Sequence, residues 1–161
     1  MVMKNKGFTL LEMMIVIQII SIIAAIMIPN LIRFNIQTNQ AATIGNLATI
    51  TRAQATFSGA ERGYAISFNA LRDDPVAANQ VPYLDMDFNS GAVSGYVFEL
   101  EEAGSPVATS SGVDGFSDFH CRANPANPGS FGSGVYYYFT DASGLIRYEL
   151  ANPANEDSNV I

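Results

Sequence analysis

"GFTLLEMMIVIQIISIIAAIMIPNLIRF", residues 7–34, is an apolar run of membrane-spanning length with a carboxylate near its start and a proline near its end. Between residues 13 and 28 only Gln18 and Ser21 interrupt the apolar side chains. As a helix, the stretch from residue 8 to residue 28 would be about 31 Å long, which matches a hydrocarbon core. The segment is therefore predicted to cross a bilayer.

The rest of the sequence indicates a single acidic head. The chain has 161 residues, with 8 Lys and Arg against 15 Asp and Glu, and a net charge of −7. This length fits one compact domain plus an extra element. Because so acidic a chain offers no basic surface to neutralise a phosphate backbone, we do not expect it to bind nucleic acid. The sequence predicts a membrane anchor followed by a head.

The charges that flank the apolar run predict its orientation. Lys4 and Lys6 precede it, with no acidic residue among them. The positive-inside rule then keeps the N-terminus in the cytoplasm and places the head outside it. A secretory signal with a cleavage site in "SIIAAIM", residues 21–27, is the alternative, but no polar mature sequence begins there. A short basic leader that ends at Gly7, just before Phe8, fits the sequence better.

Residues 4–30, and "KGFTLLEMMIVIQIISIIAAIMIPN" within them, resemble the class III signal of type IV prepilins and type II secretion pseudopilins. Gly7, Phe8, Glu12 and Pro29 stand in the register of that motif. The resemblance implies cleavage between Gly7 and Phe8 by a prepilin peptidase, and then N-methylation of the new terminal residue, Phe8. A residue without a side chain at the cleavage site lets a protease approach the backbone closely.

The same resemblance implies four regions and an α+β fold. Residues 1–7 form the cleaved leader, and residues 8–30 form the transmembrane helix that later lines the filament core. Residues 31–58 continue this helix in amphipathic form, and residues 59–161 form the head with a polar C-terminal tail. The expected type IV pilin fold is a long N-terminal helix packed on an antiparallel sheet of about four strands, in the shape of a lollipop.

Glu12 has two interpretations. An ionised carboxylate in hydrocarbon costs several kcal/mol and usually marks a function. In the staggered filament that the resemblance implies, Glu12 of one subunit pairs with the α-amino group of Phe8 of a neighbour. At about 4 Å such charges attract by roughly 4 kcal/mol before desolvation is subtracted. The alternative is that Glu12 caps its own helix, since an acid in the first turn complements the helix dipole.

The helix is predicted from about residue 9 to about residue 58. Pro29 should kink the helix or melt it locally around residues 25–28, because proline lacks an amide proton and clashes with the preceding turn. Beyond Pro29 an apolar stripe at helical spacing should pack against the sheet. Gly59 and Gly63 should end the helix. The stripe consists of Ile36, Ile44, Leu47, Ile50 and Phe57.

The head should contain a short helical turn, four strands and several loops. Ser67 is placed to cap the turn through Leu71. Strands are predicted in "SGYVFELEE" and "FSDFHCRA", and a hairpin in "GVYYYFTDASGLIRYEL" turns around residues 141–144. "SPVATSSGVDG" and "NPANPGSFGSG" should be exposed loops, and the tail "NPANEDSNVI" should fray.

The head offers few residues for chemistry. Cys121 alone excludes an intramolecular disulfide and should be buried, with an intersubunit bridge or a reactive thiol as the alternatives. Its neighbour His120 should point to the opposite face of the strand. The acidic pairs Asp73–Asp74 and Asp85–Asp87 are weak candidates for a calcium site. In residues 136–139 two aromatic rings should face the core and two should face outward. We expect no metal, no cofactor and no enzymatic activity.

The resemblance implies a structural subunit of a type IV pilus-like filament. The precursor would be stored in the cytoplasmic membrane as a single-pass protein with its N-terminus inside. An assembly ATPase and an inner-membrane platform would then move it into a helical homo-oligomer, an extracellular pilus or a periplasmic pseudopilus. Motility and adhesion are the expected roles. A secretion pseudopilin, a minor pilin that primes assembly and a signal-anchored extracytoplasmic module are the alternatives.

Overall fold

The computed structural model describes residues 7–72, 82–109 and 114–161 of the chain. It has an α+β architecture in which one long N-terminal helix packs on an antiparallel sheet. The elements are α1 (Leu10–Glu61), β1 (Tyr64–Ala65), α2 (Phe68–Arg72), β2 (Tyr96–Ala108), β3 (Asp114–Pro125), β4 (Tyr136–Thr140), β5 (Ile146–Leu150) and β6 (Asn159–Val160). The fold expected from the resemblance is confirmed.

Helix α1 has 52 residues and is therefore about 78 Å long. Thr9 caps its start, and Arg62 ends it in a left-handed conformation, with φ of 70°. The backbone N–H of Arg62 donates to the carbonyl of Ser58 at 3.0 Å. The prediction was right to within about three residues, but Gly59 lies inside the helix and does not end it.

Four strands of the sheet pair in the order β2, β3, β4, β5, and all of these pairs are antiparallel. The two-residue strands β1 and β6 extend the sheet by pairing with β3 and β5 respectively. The predicted hairpin turn is present, with the N–H of Gly144 donating to the carbonyl of Asp141 at 3.1 Å. The predicted helical turn is present too, and the N–H of Ala70 donates to Oγ of Ser67 at 3.2 Å.

Two segments predicted as irregular contain strand. The first, "SPVATSSGVDG", continues β2 as far as Ala108, and β3 already begins at Asp114, after an irregularity in pairing between Ala103 and Pro106. The second is the C-terminal tail, which does not fray. Its β6 pairs with β5, and the N–H of Ile161 donates to the carbonyl of Ile146 at 3.0 Å. Backbone pairing with a strand already in place outweighs the polar composition of both segments.

The core forms where the second half of α1 meets the sheet. The apolar stripe predicted on α1 is buried there, with Ile44 only partly covered. Each fully buried side chain of this size contributes about 1.5–3 kcal/mol. The head side of the core is largely aromatic, with Phe68, Phe88, Tyr96, Phe98, Phe119 and Tyr138 among its buried members. The head is thus fixed to the distal half of the helix.

Cys121 and His120 lie on opposite faces of β3, as predicted. Cys121 is fully buried among the core residues, and burial raises the pKa of its thiol. His120 stacks edge-on against Phe139 on the other face, and its Nε2 lies 2.8 Å from Oε1 of Glu156. A Cys–His dyad is therefore excluded, and in this chain Cys121 acts as a core residue.

The aromatic run of β4 departs from the expected pattern of two rings in and two out. Tyr138 is buried against the core, and its burial raises its pKa to about 12. Phe139 points to the opposite face and is nevertheless fully buried. It is covered because His120 and the C-terminal segment around Glu156 fold over that face of the sheet. The side chains alternate in direction as predicted, but Phe139 on the outer face is covered from solvent.

The structure describes only one of the two acidic pairs considered as calcium ligands. Asp73 and Asp74 lie outside the described residues. Oδ2 of Asp87 forms an ion pair with Nη1 of Arg72 at 3.2 Å, and its Oδ1 accepts the N–H of Asn89 at 2.9 Å. Within the described ranges no group of three metal-binding side chains is found.

Gln54 joins α1 to β1 through a fully buried two-way amide bridge. Its Nε2 donates to the carbonyl of Ala65 at 2.7 Å, and its Oε1 accepts the N–H of Ala65 at 2.9 Å. Because both backbone groups are buried, their loss of partners would carry the full desolvation cost. This single side chain thus fixes the position of β1 beside α1.

We expect Gln54→Leu to lower the free energy of unfolding by roughly 3 kcal/mol, because two buried backbone groups lose their partners. Chemical denaturation of the full chain in detergent, followed by near-UV circular dichroism, measures this loss. Gln37→Leu, on the exposed face of the same helix, is the control and should change stability by less than about 0.5 kcal/mol. Equal effects of the two variants would contradict the bridging role.

Candidate assembly site

The N-terminal part of α1 projects from the head with its apolar side chains exposed. Between residues 8 and 34 nearly every large apolar side chain is open, from Phe8 at 80% to Phe34 at 65%. Among the described residues one helix, α1, is long and apolar enough to cross a membrane, and it lies near the N-terminus. We call residues 8–34 the stem. A surface this apolar is stable only when lipid or protein covers it.

Charged groups stand only at the two ends of the stem. Glu12 lies in its first turn and Arg33 near its head end, with no charged residue between them. Lys4 and Lys6, on which the predicted orientation rests, lie outside the described residues. Ser21, one of the two polar residues that interrupt the apolar run, donates from Oγ to the carbonyl of Ile17 at 2.7 Å.

Thr9 and Glu12 form a reciprocal capping box at the start of α1. Oε2 of Glu12 accepts the backbone N–H of Thr9 at 2.8 Å and its hydroxyl at 2.7 Å. In return the N–H of Glu12 donates to Oγ1 of Thr9 at 3.3 Å. These bonds satisfy backbone donors that a helix start leaves without partners. The alternative interpretation of Glu12, that it caps its own helix, is therefore confirmed.

The capping box leaves room for a second partner. Both hydrogen bonds to the carboxylate end on Oε2, and among the described residues none ends on Oε1. A carboxylate offers about four lone-pair sites on its two oxygens. Capping and pairing with a neighbour's amine are thus compatible in one geometry, and the pairing stays a prediction.

The role of Thr9 was missed when the sequence was interpreted. The signal was present, because "TLLE", residues 9–12, has the Thr-x-x-Glu spacing that opens a capping box. An interpretation of Glu12 as an isolated charge leaves out this partner three residues earlier. The two side chains form one structural unit.

Pro29 lies inside α1, and residues 25–28 before it remain helical. The helix of the isolated chain thus does not melt at this point, so that form of the prediction is wrong for this state. Proline still cannot donate to the carbonyl four residues earlier, which leaves one hydrogen bond out of the helix. A bend at Pro29 stays a prediction.

The peptide bond between Gly7 and Phe8 lies in an open, non-helical segment before the cap. A Cβ atom built on Gly7 would meet no other atom within 4 Å, and Phe8 is among the most exposed apolar residues described. Nothing in the described chain shields this bond. The proposed cleavage point is therefore accessible to a peptidase.

Comparison with known proteins places this segment in a known class. A model of the prokaryotic N-terminal methylation motif matches residues 2–28. The type IV narrow pilus major component PilA5 of Thermus thermophilus is 30% identical over 118 residues, which span 71% of this chain and 87% of that protein. The match thus reaches well beyond the motif and covers most of the relative.

The chain belongs to the type IV pilin and pseudopilin family.

Two further members match over shorter lengths. The type IV major pilin PilA of Myxococcus xanthus is 39% identical over 80 residues, half of this chain but only 36% of that protein. The competence protein ComGC of Bacillus subtilis is 48% identical over 54 residues, which span 34% of this chain and 54% of that protein. No solved structure gives a significant match.

Membership in the pilin family indicates the general role of the stem. The chain is a pilin-like subunit of a type IV pilus or of a related competence or pseudopilus system. Such proteins form homo-oligomeric filaments after processing by a prepilin peptidase. The exposed apolar helix fits a precursor anchored in the membrane.

We expect the two roles of Glu12 to separate by substitution. Glu12→Gln keeps an acceptor for the capping box but removes the charge, so membrane insertion should persist while filament yield collapses. Thr9→Ala removes the cap partner at a cost of about 1 kcal/mol of helix stability but keeps the charge, so filaments should still form. Sheared filaments and membrane-bound subunit, both quantified by immunoblot, give the measurement. Normal filaments from Glu12→Gln would reject the charge pairing.

Proposed function

We propose that this chain is a structural subunit of an extracellular type IV pilus. Prepilin peptidase removes residues 1–7, and the amine of Phe8 is then methylated. An assembly ATPase and an inner-membrane platform transfer the mature subunit from the cytoplasmic membrane into the filament. The subunit has no enzymatic activity and needs no cofactor. Surface functions such as motility and adhesion then reside in the heads.

The observation that carries the proposal is the combination of an open cleavage point with an uncovered stem. The bond after Gly7 lies before the capped start of α1, so its hydrolysis leaves the capping box of Thr9 and Glu12 intact. The cleaved chain then begins at Phe8, one residue before the cap. Exposed apolar side chains over the whole stem supply a surface that other copies can cover.

The comparisons favour a pilus over the related systems. The relative that aligns over most of its own length is named as a pilus component, and so is the longer relative from Myxococcus. The competence relative aligns over 54 residues, close to the length of α1 alone. A pseudopilin or a minor pilin would share the same stem, and the abundance of the subunit in purified surface filaments separates these from a major pilin.

N-terminal mass spectrometry tests the processing step. We expect the filament-borne chain to begin with methylated Phe8. Gly7→Val should leave a full-length precursor in the membrane, because a branched side chain blocks close approach to the backbone. Gly45→Ala is the control, since a Cβ at Gly45 meets no atom within 4 Å, and that variant should be processed normally. Filaments built from chains that retain residues 1–7 would refute the proposal.

A further inference from the structure

The loop between β3 and β4, residues 126–135, has a fixed backbone. The N–H of Ser133 donates to the carbonyl of Asn127 at 2.7 Å, and the N–H of Gly129 donates to the carbonyl of Gly134 at 2.9 Å. A Cβ at Gly132 would lie 1.9 Å from the carbonyl oxygen of Asn127, so this position accepts only glycine. The loop is ordered before any partner arrives, which lowers the entropy cost of binding.

This loop is tied to the point where the stem enters the head. Nδ2 of Asn39, on α1, donates to the carbonyl of Ser133 at 3.0 Å. The N–H of Ala126 donates to the carbonyl of Gly95 at 2.9 Å. Since Asn39 follows the end of the stem by little more than one turn of α1, the loop is held beside the head end of the stem.

Phe131 stands at the tip of the loop and is 82% exposed. Single exposed apolar residues are common and need no explanation. Here, however, its chain neighbour Ser130 lines a groove of about 320 Å³, together with Ile36 and Tyr136. A second groove, of about 400 Å³, shares Ser130 and Val135 and extends to Leu150. We call Phe131 and these two grooves the loop patch.

The loop patch continues the apolar surface of the stem. Leu31 and Phe34 are both more than half exposed, and α1 runs directly from them to Ile36 in the first groove. From Phe8 to Phe34 the stem measures about 39 Å, longer than the hydrocarbon core of about 30 Å. Arg33 marks the point where lipid cover should end. The head end of the stem, with the loop patch, therefore needs protein cover.

Charge favours the stem of another copy as that cover. All but one of the 15 acidic side chains lie after the stem, so packing head against head brings carboxylates together. The stem carries no charge between Glu12 and Arg33, and Arg33 is the charged residue that lines the first groove. No acidic residue is among those that line the two grooves, so the uncharged stretch of a second stem, between Glu12 and Arg33, packs there without desolvating a carboxylate.

We propose that the loop patch is the surface on which the apolar stem of a second copy packs, with Phe131 as its anchor. The proposal rests on the proposed filament function and adds a contact between head and stem to it. Aromatic side chains are enriched at the centres of protein interfaces.

Site-specific photo-crosslinking in assembled filaments tests the contact. The full chain carries p-benzoylphenylalanine at position 131, and purified filaments are irradiated and digested. We expect crosslinked peptides that join position 131 to residues 8–34 of another copy. The matched control carries the photo-reactive residue at position 145, because Leu145 is also exposed but lies in the β4–β5 turn, at the other end of β4 from the loop. Position 145 should give no crosslink to a stem.

Filament yield gives a second readout. Phe131→Ser should lower the yield roughly tenfold while processing and membrane level stay normal, and Phe131→Leu should retain most of it. Crosslinks from position 131 only to other heads, or stem crosslinks of equal yield from position 145, would overturn the contact. Filaments absent from the wild-type chain itself would instead refute the proposed function. The two failures are thus distinguishable.

Discussion

The need to cover an exposed apolar stem governs the rest of this structure. From Phe8 to Phe34 nearly every large apolar side chain is exposed. Exposing apolar surface to water costs about 25 cal/mol per Å², so water strongly destabilises this uncovered segment. In the proposed function, lipid covers the stem of the stored precursor and other stems cover it in the filament.

The head is built so that the stem remains free. Its core packs against the distal half of α1 only, where Leu47, Ile50 and Phe57 are fully buried. Gln54 fixes the exit of the chain from the helix by binding both backbone groups of Ala65. The hydroxyl of the buried Tyr96 donates to the carbonyl of Tyr136 at 2.9 Å and joins two strands across the head. All of these contacts lie beyond the end of the stem at Phe34.

Sequence reasoning predicted what local patterns determine and missed what tertiary pairing adds. The helix, its apolar stripe and the central strands followed from periodicity, and the motif around Gly7 and Glu12 indicated the family. The strand in the C-terminal tail was missed, because its partner residues in β5 lie 11 or more residues earlier in the chain. The burial of Phe139 was missed for the same reason. The loop patch could not be predicted, since its members come from α1, the β3–β4 loop, β4 and β5.

The capping role of Glu12 in the isolated chain is compatible with the pairing role proposed for it in a filament. In the isolated chain it caps the first turn of α1 through Oε2, and this cap needs no partner chain. Removal of the leader would place an ammonium on Phe8, next to this cap. If the neighbour's ammonium approaches Oε1, the cap persists, and the pairing adds to it rather than replacing it. Assembly then proceeds without unwinding the first turn, so the attraction between the two charges is opposed by their desolvation and not also by loss of the cap. A helix start that is already ordered is thus the physical condition for a carboxylate to act as a docking point in an apolar interior.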